Sequence, residues 1–354
     1  MNQSKLPIIF DNIIFSLQRA GGASAYWFEL CKRVIVDESF QCLFYEYKNA
    51  EHNICKQQLQ IPKDILIKKE NKPIILERYS DLHSKTGGVF HSSHYRDICS
   101  TAKTKEVTTV HDFTYEKLFS GLRKQVHIWQ KTKAIAHSDI VICVSESTKK
   151  DLCTMYPQYQ NKDIRVVYNG VSEDYYPLFP KTDSAIPYIL WVGARNDYKN
   201  FDFAAKWVSS LKDYEFWIVG QPLSHEEQLL LDKMLPNRVK FIGSVTNEML
   251  NQLYNNAVCF LYPSSYEGFG IPVIEAMRAG CPVITLNTSS LPEVCGDAGL
   301  MAEKLDTDNF TELLNDVVAH REQIVAKGLI QSAKFSWDKC YSETSAIYKE
   351  LSND

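Results

Sequence analysis

The sequence predicts an α/β protein made of two domains, each built around a parallel β-sheet. Short apolar runs typical of buried strands alternate with longer segments of helical periodicity along the chain. Such alternation favours parallel sheets covered by helices. The length of 354 residues is sufficient for two domains of ordinary size. A stretch near the middle, residues 174–187, contains prolines, lacks helical periodicity and is interpreted as an extended connector.

In the first half of the chain, apolar runs repeatedly precede polar or glycine-containing loops. The predicted strands are Leu6–Phe15, Gln41–Tyr47, Glu106–Val110, Ile140–Val144 and Ile164–Val167, with another beginning at Gly88. Helical spacing covers Tyr26–Val36 and Gly121–Ser138, and Ser145 is expected to cap a further helix. Residues 48–86 are polar and predict only a solvated face or a loop.

The second half repeats the alternation. The predicted strands are Tyr188–Val192, Phe216–Gly220, Val239–Gly243 and Val258–Leu261, with another opening at Pro282. Helices are expected over Phe310–Lys327 and Trp337–Leu351. The triplet Asp306-Thr307-Asp308 precedes a helix, so Thr307 or Asp308 is expected to be its N-cap.

Composition is that of a globular protein, with 45% hydrophobic and 23% charged residues. No segment approaches the ~18–20 apolar residues that span a membrane, and the first residues lack the pattern of a signal peptide. The net charge of −4 argues against nucleic acid as a partner. Ten cysteines without a CxxC pair are typical of a reducing compartment. A cytoplasmic protein is therefore expected.

The stretch from Tyr262 to Thr285 predicts a strand, a glycine turn, a helix and a second strand. Pro272 occupies the expected first helical position, and Gly280 is a plausible residue just after the helix end near Arg278. The carboxylates of Glu267 and Glu275 lie eight residues apart, and Glu275 falls in the expected first turn of the helix.

That pattern suits a nucleotide sugar. The amides and positive dipole at a helix start attract a diphosphate, and Gly268 and Gly270 allow the backbone to approach it. Glu275 could accept hydrogen bonds from a ribose, and Glu267 could reach the sugar. Alternatively, Glu267 is a loop charge and Glu275 compensates the helix dipole. That reading is favoured for Glu275 alone, whereas the turn, proline, spacing and downstream Ser289–Val294 together favour the site.

Other polar residues follow strand ends, where ligands meet parallel sheets. Gly193, Arg195 and Lys199 follow the strand at Tyr188–Val192, and both cations suit a diphosphate, although surface cations are common in loops.

In the first half, His111 and Asp112 follow a strand, and Gly21 and Gly22 form a loop before a helix. A lone histidine there is more often structural, and a glycine loop is often only a tight turn.

The segment containing EGFGIPVIEAM, GCPVIT and SSLPEVCGDAG resembles the retaining glycosyltransferases of family GT4. The resemblance covers nearly the whole chain and implies the GT-B fold, in which two Rossmann-like domains face a central cleft. The implied boundaries are an acceptor-side domain at 1–175, a nucleotide-sugar domain at 176–335, and a final helix at 336–354 that crosses back to the first domain.

The resemblance also implies roles for individual residues. The implied catalytic residues are His111, Glu267, Arg195 and Lys199. The implied donor-binding residues are Gly21, Gly22, Gly193, Arg195, Lys199, Gly268, Phe269, Gly270, Ile271 and Glu275. The candidates for the acceptor are His91, His94, Tyr95, Arg96 and Asp112, of which the histidines could equally be structural. No metal and no other cofactor are expected, because cations and helix amides stabilise the leaving diphosphate in this family.

The implied reaction moves a hexose from an NDP-sugar, with GDP-mannose as first choice, to a glycan or lipid-linked saccharide of a surface polysaccharide. The alternatives are another GT-B enzyme, such as a sugar-nucleotide epimerase, and a non-catalytic subunit that binds nucleotide sugars. Peripheral contact with the inner membrane is a further expectation. It rests on a basic first half and on the cations and Trp129 of the helix Gly121–Ser138, although a solvated helix face explains these equally well.

Overall fold

The computed structural model describes residues 7–179 and 186–353, which divide into two compact units. Unit 1 joins Met1–Asn169 to Trp337–Asp354, and unit 2 is Gly170–Ser336. The residues just after Asn169 group with unit 2, earlier than the boundary predicted from the sequence. They are anchored there because the Tyr176 amide donates to Asn251 at 3.1 Å and Arg278 donates to the Tyr175 carbonyl at 3.2 Å. Residues 180–185 of the predicted connector lie outside the described residues.

Unit 1 contains a seven-stranded sheet in the order β3-β2-β1-β5-β7-β8-β9 and a separate pair, β4-β6. Its strands are Ile8–Asp11 (β1), Cys42–Tyr47 (β2), Leu66–Lys69 (β3), Leu82–Ser84 (β4), Gly88–Ser92 (β5), Ile98–Ser100 (β6), Thr104–Val110 (β7), Ile140–Cys143 (β8) and Asp163–Val166 (β9). Its helices in the first part of the chain are Ile13–Leu17 (α1), Gly22–Val34 (α2), Ile54–Gln58 (α3), Ile74–Arg78 (α4), Thr114–Leu118 (α5), Leu122–His137 (α6) and Glu146–Met155 (α7).

Unit 2 contains a six-stranded sheet in the order β12-β11-β10-β13-β14-β15. Its strands are Tyr188–Val192 (β10), Glu215–Val219 (β11), Val239–Gly243 (β12), Cys259–Tyr262 (β13), Val283–Leu286 (β14) and Leu300–Ala302 (β15). Its helices are Phe201–Ser210 (α8), His225–Met234 (α9), Asn247–Asn256 (α10), Ile271–Arg278 (α11), Leu291–Cys295 (α12) and Thr307–Ser332 (α13).

The strands within each sheet pair in parallel, so the predicted fold class is confirmed. Central strands such as β1 and β13 are buried at every position. Their sequences are accordingly near-continuous apolar runs, as expected for parallel strands covered on both faces.

The last helix, Trp337–Asn353 (α14), packs on unit 1. Tyr348 on this helix is fully buried and meets Phe10 edge-on, with ring centroids 6.0 Å apart. Asp338 forms an ion pair with Arg33 on α2 at 2.8 Å. The predicted return of the chain to its first domain is therefore confirmed.

The predicted first strand is wrong in its second half. The strand ends at Asp11, and α1 follows from Ile13. Two buried polar residues explain the break, because Asp11 pairs with Arg96 at 2.9 Å and Asn12 accepts from the Trp27 indole at 2.7 Å. Polar groups buried in this way are committed to tertiary partners.

Two helix caps can be compared with the sequence. Ser145 caps α7 as predicted, with its side chain accepting from the Thr148 amide at 3.0 Å. For α13, Thr307 and Asp308 were the expected caps, but the cap is Asp306. Its carboxylate accepts from the amides of Asp308 and Asn309 at 3.0 and 3.1 Å. An aspartate suits this position because its carboxylate satisfies free helix amides.

Candidate active site

The glycine turn between β13 and α11 is held by the segment that follows β14. The Glu267 amide donates to the Ser289 hydroxyl at 2.9 Å, and the Ser290 hydroxyl donates to the carbonyls of Glu267 and Phe269 at 3.0 and 2.9 Å. Ser290 is fully buried. The serine hydroxyls of the SSLPE motif, residues 289–293, therefore hold the turn in its conformation together with the turn's own glycines.

Helix α11 begins one residue earlier than expected. Gly270 is its N-cap, with φ of +103°, and Pro272 is the second helical residue. Glu275 was expected in the first turn, and that prediction is wrong because it is the fifth residue of a helix that starts at Ile271. Gly280 follows the last turn with φ of +75°, in agreement with the sequence.

Lys199 and Glu267 meet directly. The Lys199 ammonium lies 2.7 Å from a Glu267 carboxylate oxygen and donates to the Tyr262 hydroxyl at 2.9 Å. Both charged side chains are largely buried, at 12% and 14% exposed. Burial alone would lower the pKa of Lys199, but Tyr262 and Glu267 outweigh it and raise the pKa well above its usual value. The loop after β10 thus holds a protonated lysine in an ion pair with Glu267 of the turn before α11.

Two tyrosines, Tyr175 and Tyr254, lie next to the Glu275 carboxylate. The Tyr254 hydroxyl donates to its carboxylate at 3.5 Å. Burial raises the pKa of Glu275 to about 7, against the lowering effect of hydrogen bonds from Tyr175 and Tyr254. The carboxylate is therefore poised to change charge near neutral pH, and hydrogen-bond donors from a ligand would favour its ionised form.

Arg195 has a different partner from Lys199. Its guanidinium donates from Nε to Glu227 at 2.8 Å and from Nη2 to the carbonyls of Gln221 and Pro222 at 2.9 and 2.8 Å. Burial alone would raise the pKa of Glu227, but Arg195 and Ser224 lower it. Nη1 of Arg195 is buried without a hydrogen-bond partner. To bind a diphosphate as expected, Arg195 would have to exchange partners.

The remaining donor-binding candidates of unit 2 are backbone positions or core side chains. Gly193 directly follows β10 and has φ of +115°, and Ile271 opens α11. Phe269 is 4% exposed and packs edge-on against Phe335. The Phe269 side chain therefore packs beneath the turn in this structure, and Gly268 and Gly270 on either side of it are buried as well.

In unit 1, His111 follows β7 and is partly exposed. It meets Tyr26 edge-on, with ring centroids 5.0 Å apart. Burial lowers its pKa to about 4, and nearby Lys131 adds to this lowering while Asp112 opposes it. The imidazole is neutral at pH 7. Gly21 and Gly22 lie exposed at the start of α2, on a loop that follows β1 and α1.

Three of the acceptor candidates are buried in unit 1. His91 has no exposed surface, and its ring nitrogens bond to Tyr348 at 2.6 Å and Thr109 at 2.9 Å. Arg96 pairs with Asp11 at 2.9 Å and Glu77 at 2.8 Å. Tyr95 is 8% exposed. These are the environments of structural residues, so the expected acceptor contact does not fit their placement.

The other two acceptor candidates remain partly exposed. The Asp112 carboxylate accepts from the Thr114 amide at 2.9 Å, which fixes the start of α5. Burial, with Arg78 and two neighbouring histidines, lowers the pKa of His94 well below its usual value, and its Nε2 is buried without a partner.

Sequence reasoning missed Tyr262, Tyr254 and Glu227. Tyr262 is the last residue of β13, so its position at a strand end was a usable signal. Tyr254 and Glu227 reach the site from α10 and α9, and nothing in their local sequence indicates which partner they meet.

Comparisons with known proteins place the chain among glycosyltransferases. The profile "Glycosyl transferases group 1" matches residues 178–334, and the profile "Glycosyltransferase Family 4" matches residues 77–175. The chain is 27% identical over 325 residues to O-antigen chain mannosyltransferase B of Escherichia coli, covering 79% of this chain and 81% of that protein.

Solved structures share the fold. Sucrose-phosphate synthase from Thermosynechococcus elongatus superposes with a TM-score of 0.76 at 17% identity, over 98% of this chain and 99% of that one. Anabaena HepE in complex with UDP-glucose gives a TM-score of 0.74 at 16% identity, over 98% of this chain and 100% of that one.

The family profiles therefore identify the chain as a glycosyltransferase, and the solved structures show that its two parallel-sheet units have the GT-B fold. The chain carries a domain of glycosyltransferase family 4 at residues 77–175 and a domain of the group 1 glycosyl transferases at residues 178–334. Among the described residues, no helix has both the length and the apolar character needed to cross a membrane.

Proposed function

We propose that this glycosyltransferase moves a hexose from an NDP-sugar to a saccharide acceptor with retention of anomeric configuration. The observation that carries the proposal is the buried contact of Lys199, in the loop after β10, with Tyr262 at the end of β13 and with Glu267 in the turn that leads into α11. A fixed cation beside helix amides is the arrangement that a departing diphosphate requires.

The reaction needs charge stabilisation more than acid–base chemistry. Breaking the bond between the anomeric carbon and the diphosphate places positive charge on the sugar and negative charge on the phosphate. Lys199 and the amides at the start of α11 are proposed to stabilise the phosphate, with Arg195 joining them once it leaves Glu227. Because this charge is preorganised, the diphosphate can leave with the acceptor proton transferred to it, as the family resemblance implies.

The roles of Glu275, Glu267 and His111 are proposed from their charge and hydrogen-bonding capacity. Glu275 is proposed to accept hydrogen bonds from the ribose, for which its carboxylate form is required. Glu267, already paired with Lys199, is proposed to orient the hydroxyl groups of the transferred sugar. His111 is neutral at pH 7 and remains a predicted catalytic residue on the strength of the family resemblance. No metal or other cofactor enters the proposed reaction.

GDP-mannose is the proposed donor, and a lipid-linked saccharide of a surface polysaccharide is the proposed acceptor. The first is supported by the name of the Escherichia coli relative, an O-antigen chain mannosyltransferase. The fold neighbour HepE was solved with UDP-glucose, so a UDP-hexose is the alternative donor.

The experiment is a calorimetric titration with GDP, UDP and dTDP, followed by mass spectrometry of products formed from the matching sugar nucleotides. Tight binding of GDP and transfer of mannose are expected. Binding of none of the three nucleotides contradicts the proposal. Consumption of the donor without any acceptor would favour an epimerase, and binding without transfer would favour a non-catalytic subunit.

We also propose that unit 1 rests on the cytoplasmic face of the membrane. Helices α4 and α6 adjoin, because Gln130 donates to the Arg78 carbonyl at 2.7 Å. Their outer surfaces expose large apolar side chains: Ile75 70%, Leu76 61%, Tyr79 41%, Leu122 79%, Val126 39% and Trp129 53%. We call these six residues the apolar face.

The cations of α6 do not all contribute to this face as the sequence suggested. His127 and Lys131 are buried, whereas Arg123 is exposed beside Leu122. Exposed apolar side chains with an adjacent cation suit the interface of an anionic bilayer, and a lipid-linked acceptor would be found there.

A further inference from the structure

Unit 1 contains a surface cavity of about 500 Å³. None of the site residues discussed above is part of its wall. Its polar wall is formed by Ser16, Gln18, Arg19, Asn49, His52 and Gln57. The volume is in the range of pockets that hold small molecules. The cavity lies on the loop that continues into Gly21 and Gly22, so it borders a candidate ligand-facing segment.

The wall of this cavity is anchored by buried groups. The Asn53 side chain donates to the Gln18 carbonyl at 2.9 Å, and the Ile54 amide donates to the Arg19 carbonyl at 3.0 Å. Asn53 has no exposed surface, and its side-chain oxygen also caps α3. The two sides of the cavity are thus tied together, and its shape is present before any ligand binds.

The charge of the cavity has one sign. No aspartate or glutamate is among its lining residues, whereas the cation Arg19 is. Arg19 is exposed, and its side chain makes no hydrogen bond or ion pair with any part of the chain that the structure describes. A guanidinium with free N–H groups beside a cavity is suited to bind a carboxylate or phosphate through two hydrogen bonds.

The other polar groups suit a sugar. The side-chain amides of Asn49 and Gln57 lie in the wall and are of a type that pairs with hydroxyl groups, whereas Nε2 of Gln18 is buried. Gln57 has its amide nitrogen committed to the Glu51 carbonyl at 3.0 Å, which leaves its oxygen as an oriented acceptor.

We propose that this cavity is a subsite for an acceptor saccharide that carries a carboxylate or a phosphate, with Arg19 holding the anion and the amides holding hydroxyl groups. The inference rests on the proposed glycosyl transfer and names the chemical class of its acceptor. It also places acceptor recognition on the segments 16–19 and 49–57, in place of the buried residues His91, Tyr95 and Arg96.

The test is saturation-transfer NMR on the full chain with three probes: methyl glucuronide for the carboxylate, mannose 6-phosphate for the phosphate and methyl mannoside as the neutral sugar. The wild type is expected to bind at least one acidic probe about tenfold more tightly than the neutral probe. Arg19→Ala should remove this preference, Arg19→Lys should retain part of it, and Asn49→Ala should weaken both classes of probe. Arg123→Ala, which removes an exposed arginine of unit 1 away from the cavity, is the control.

Equal affinity for acidic and neutral probes, a preference that survives Arg19→Ala, or no binding of any probe would overturn the inference. Calorimetry with GDP, UDP and dTDP on the same samples separates the two proposals. Nucleotide binding that is intact in wild type and Arg19→Ala leaves the proposed function standing when the sugar experiment fails. Loss of nucleotide binding in the wild type would instead contradict the proposed function itself.

Discussion

At the residue scale, Lys199 is the candidate that is at once a cation, largely buried and in contact with the turn before α11. Its ammonium is held by Glu267 and Tyr262, and both neighbours raise its pKa despite burial. It therefore stays protonated at neutral pH. A permanent cation of this kind can stabilise a leaving group without a change in its own protonation state.

Lys199→Ala is expected to lower kcat by a factor of about 10²–10³, the usual cost of losing one preorganised charge contact. The measurement is steady-state transfer, with thermal unfolding to verify that the variant folds. The control is Lys206→Ala, which removes an exposed lysine of α8 in the same unit. A kcat within threefold of wild type for Lys199→Ala would remove this residue from the site.

Glu275 gives a prediction about pH. Its pKa is raised to about 7 by burial, and only the carboxylate accepts two hydrogen bonds from a ribose. Nucleotide affinity should therefore rise between pH 6 and pH 8. Calorimetry across this range should show the rise in wild type and a weaker one in Glu275→Gln, where only the nucleotide phosphate titrates. Identical pH profiles for the two proteins would contradict the proposed role.

The same pKa shift has a consequence for stability. The folded protein holds the Glu275 proton between about pH 4.5 and pH 7, whereas the unfolded chain releases it. The contribution of this residue to the free energy of unfolding therefore falls as pH rises through that window. Glu275→Gln should remove this dependence.

At the scale of elements, the turn before α11 positions the site. Gly270 has φ of +103°, and a Cβ atom there would lie 3.1 Å from the Leu291 side chain. Ser290 holds the same turn through two carbonyls. Conformation and packing therefore both require glycine at this position.

Gly270→Ala is expected to destabilise the protein by about 1–2 kcal/mol, from the left-handed backbone alone, and to weaken nucleotide binding because the turn shifts. Denaturant unfolding and calorimetry measure the two effects. The matched control is Gly328→Ala in α13, where an added Cβ would make an ordinary contact at 3.5 Å with Met277. That change should be neutral or stabilising. Equal effects of the two substitutions would show that the conformation of Gly270 is unimportant.

The elements also show what could be predicted from sequence. The order strand, glycine turn, helix, strand from Tyr262 to Thr285 was predictable because its signals are local: an apolar run, Gly270, Pro272 and Gly280. The pairing of Arg195 with Glu227 was not, since it depends on where α9 packs against the loop after β10. His91 bonds Tyr348 across 257 positions of sequence, and no local pattern distinguishes it from a ligand-facing histidine.

At the scale of the whole molecule, each unit carries a separate property. Unit 2 holds the Lys199–Glu267 contact, and unit 1 holds the cavity beside Arg19 and the apolar face. The first half of the sequence predicted a cationic helix, yet the structure buries part of its charge and exposes Leu122 and Trp129 instead. The face also includes α4, which lies in the segment 48–86 that the sequence left without a role.

The apolar face is expected to bind vesicles that contain anionic phospholipids. Replacing both Leu122 and Trp129 with serine should reduce co-flotation with such vesicles by at least fivefold, because both side chains are more than half exposed. The control is Ile330→Ser, which removes an exposed apolar side chain of unit 2. Flotation that is unchanged in the double variant, or equally reduced in the control, would contradict membrane contact through this face.

The most direct test of the central claim is a crystal structure of the protein with its tightest-binding nucleoside diphosphate. The diphosphate is expected within hydrogen-bonding distance of the Lys199 ammonium and of the amides that open α11, with the ribose hydroxyls on Glu275. A nucleotide bound elsewhere, with Lys199 still enclosed by Glu267 and Tyr262, would contradict the proposed site.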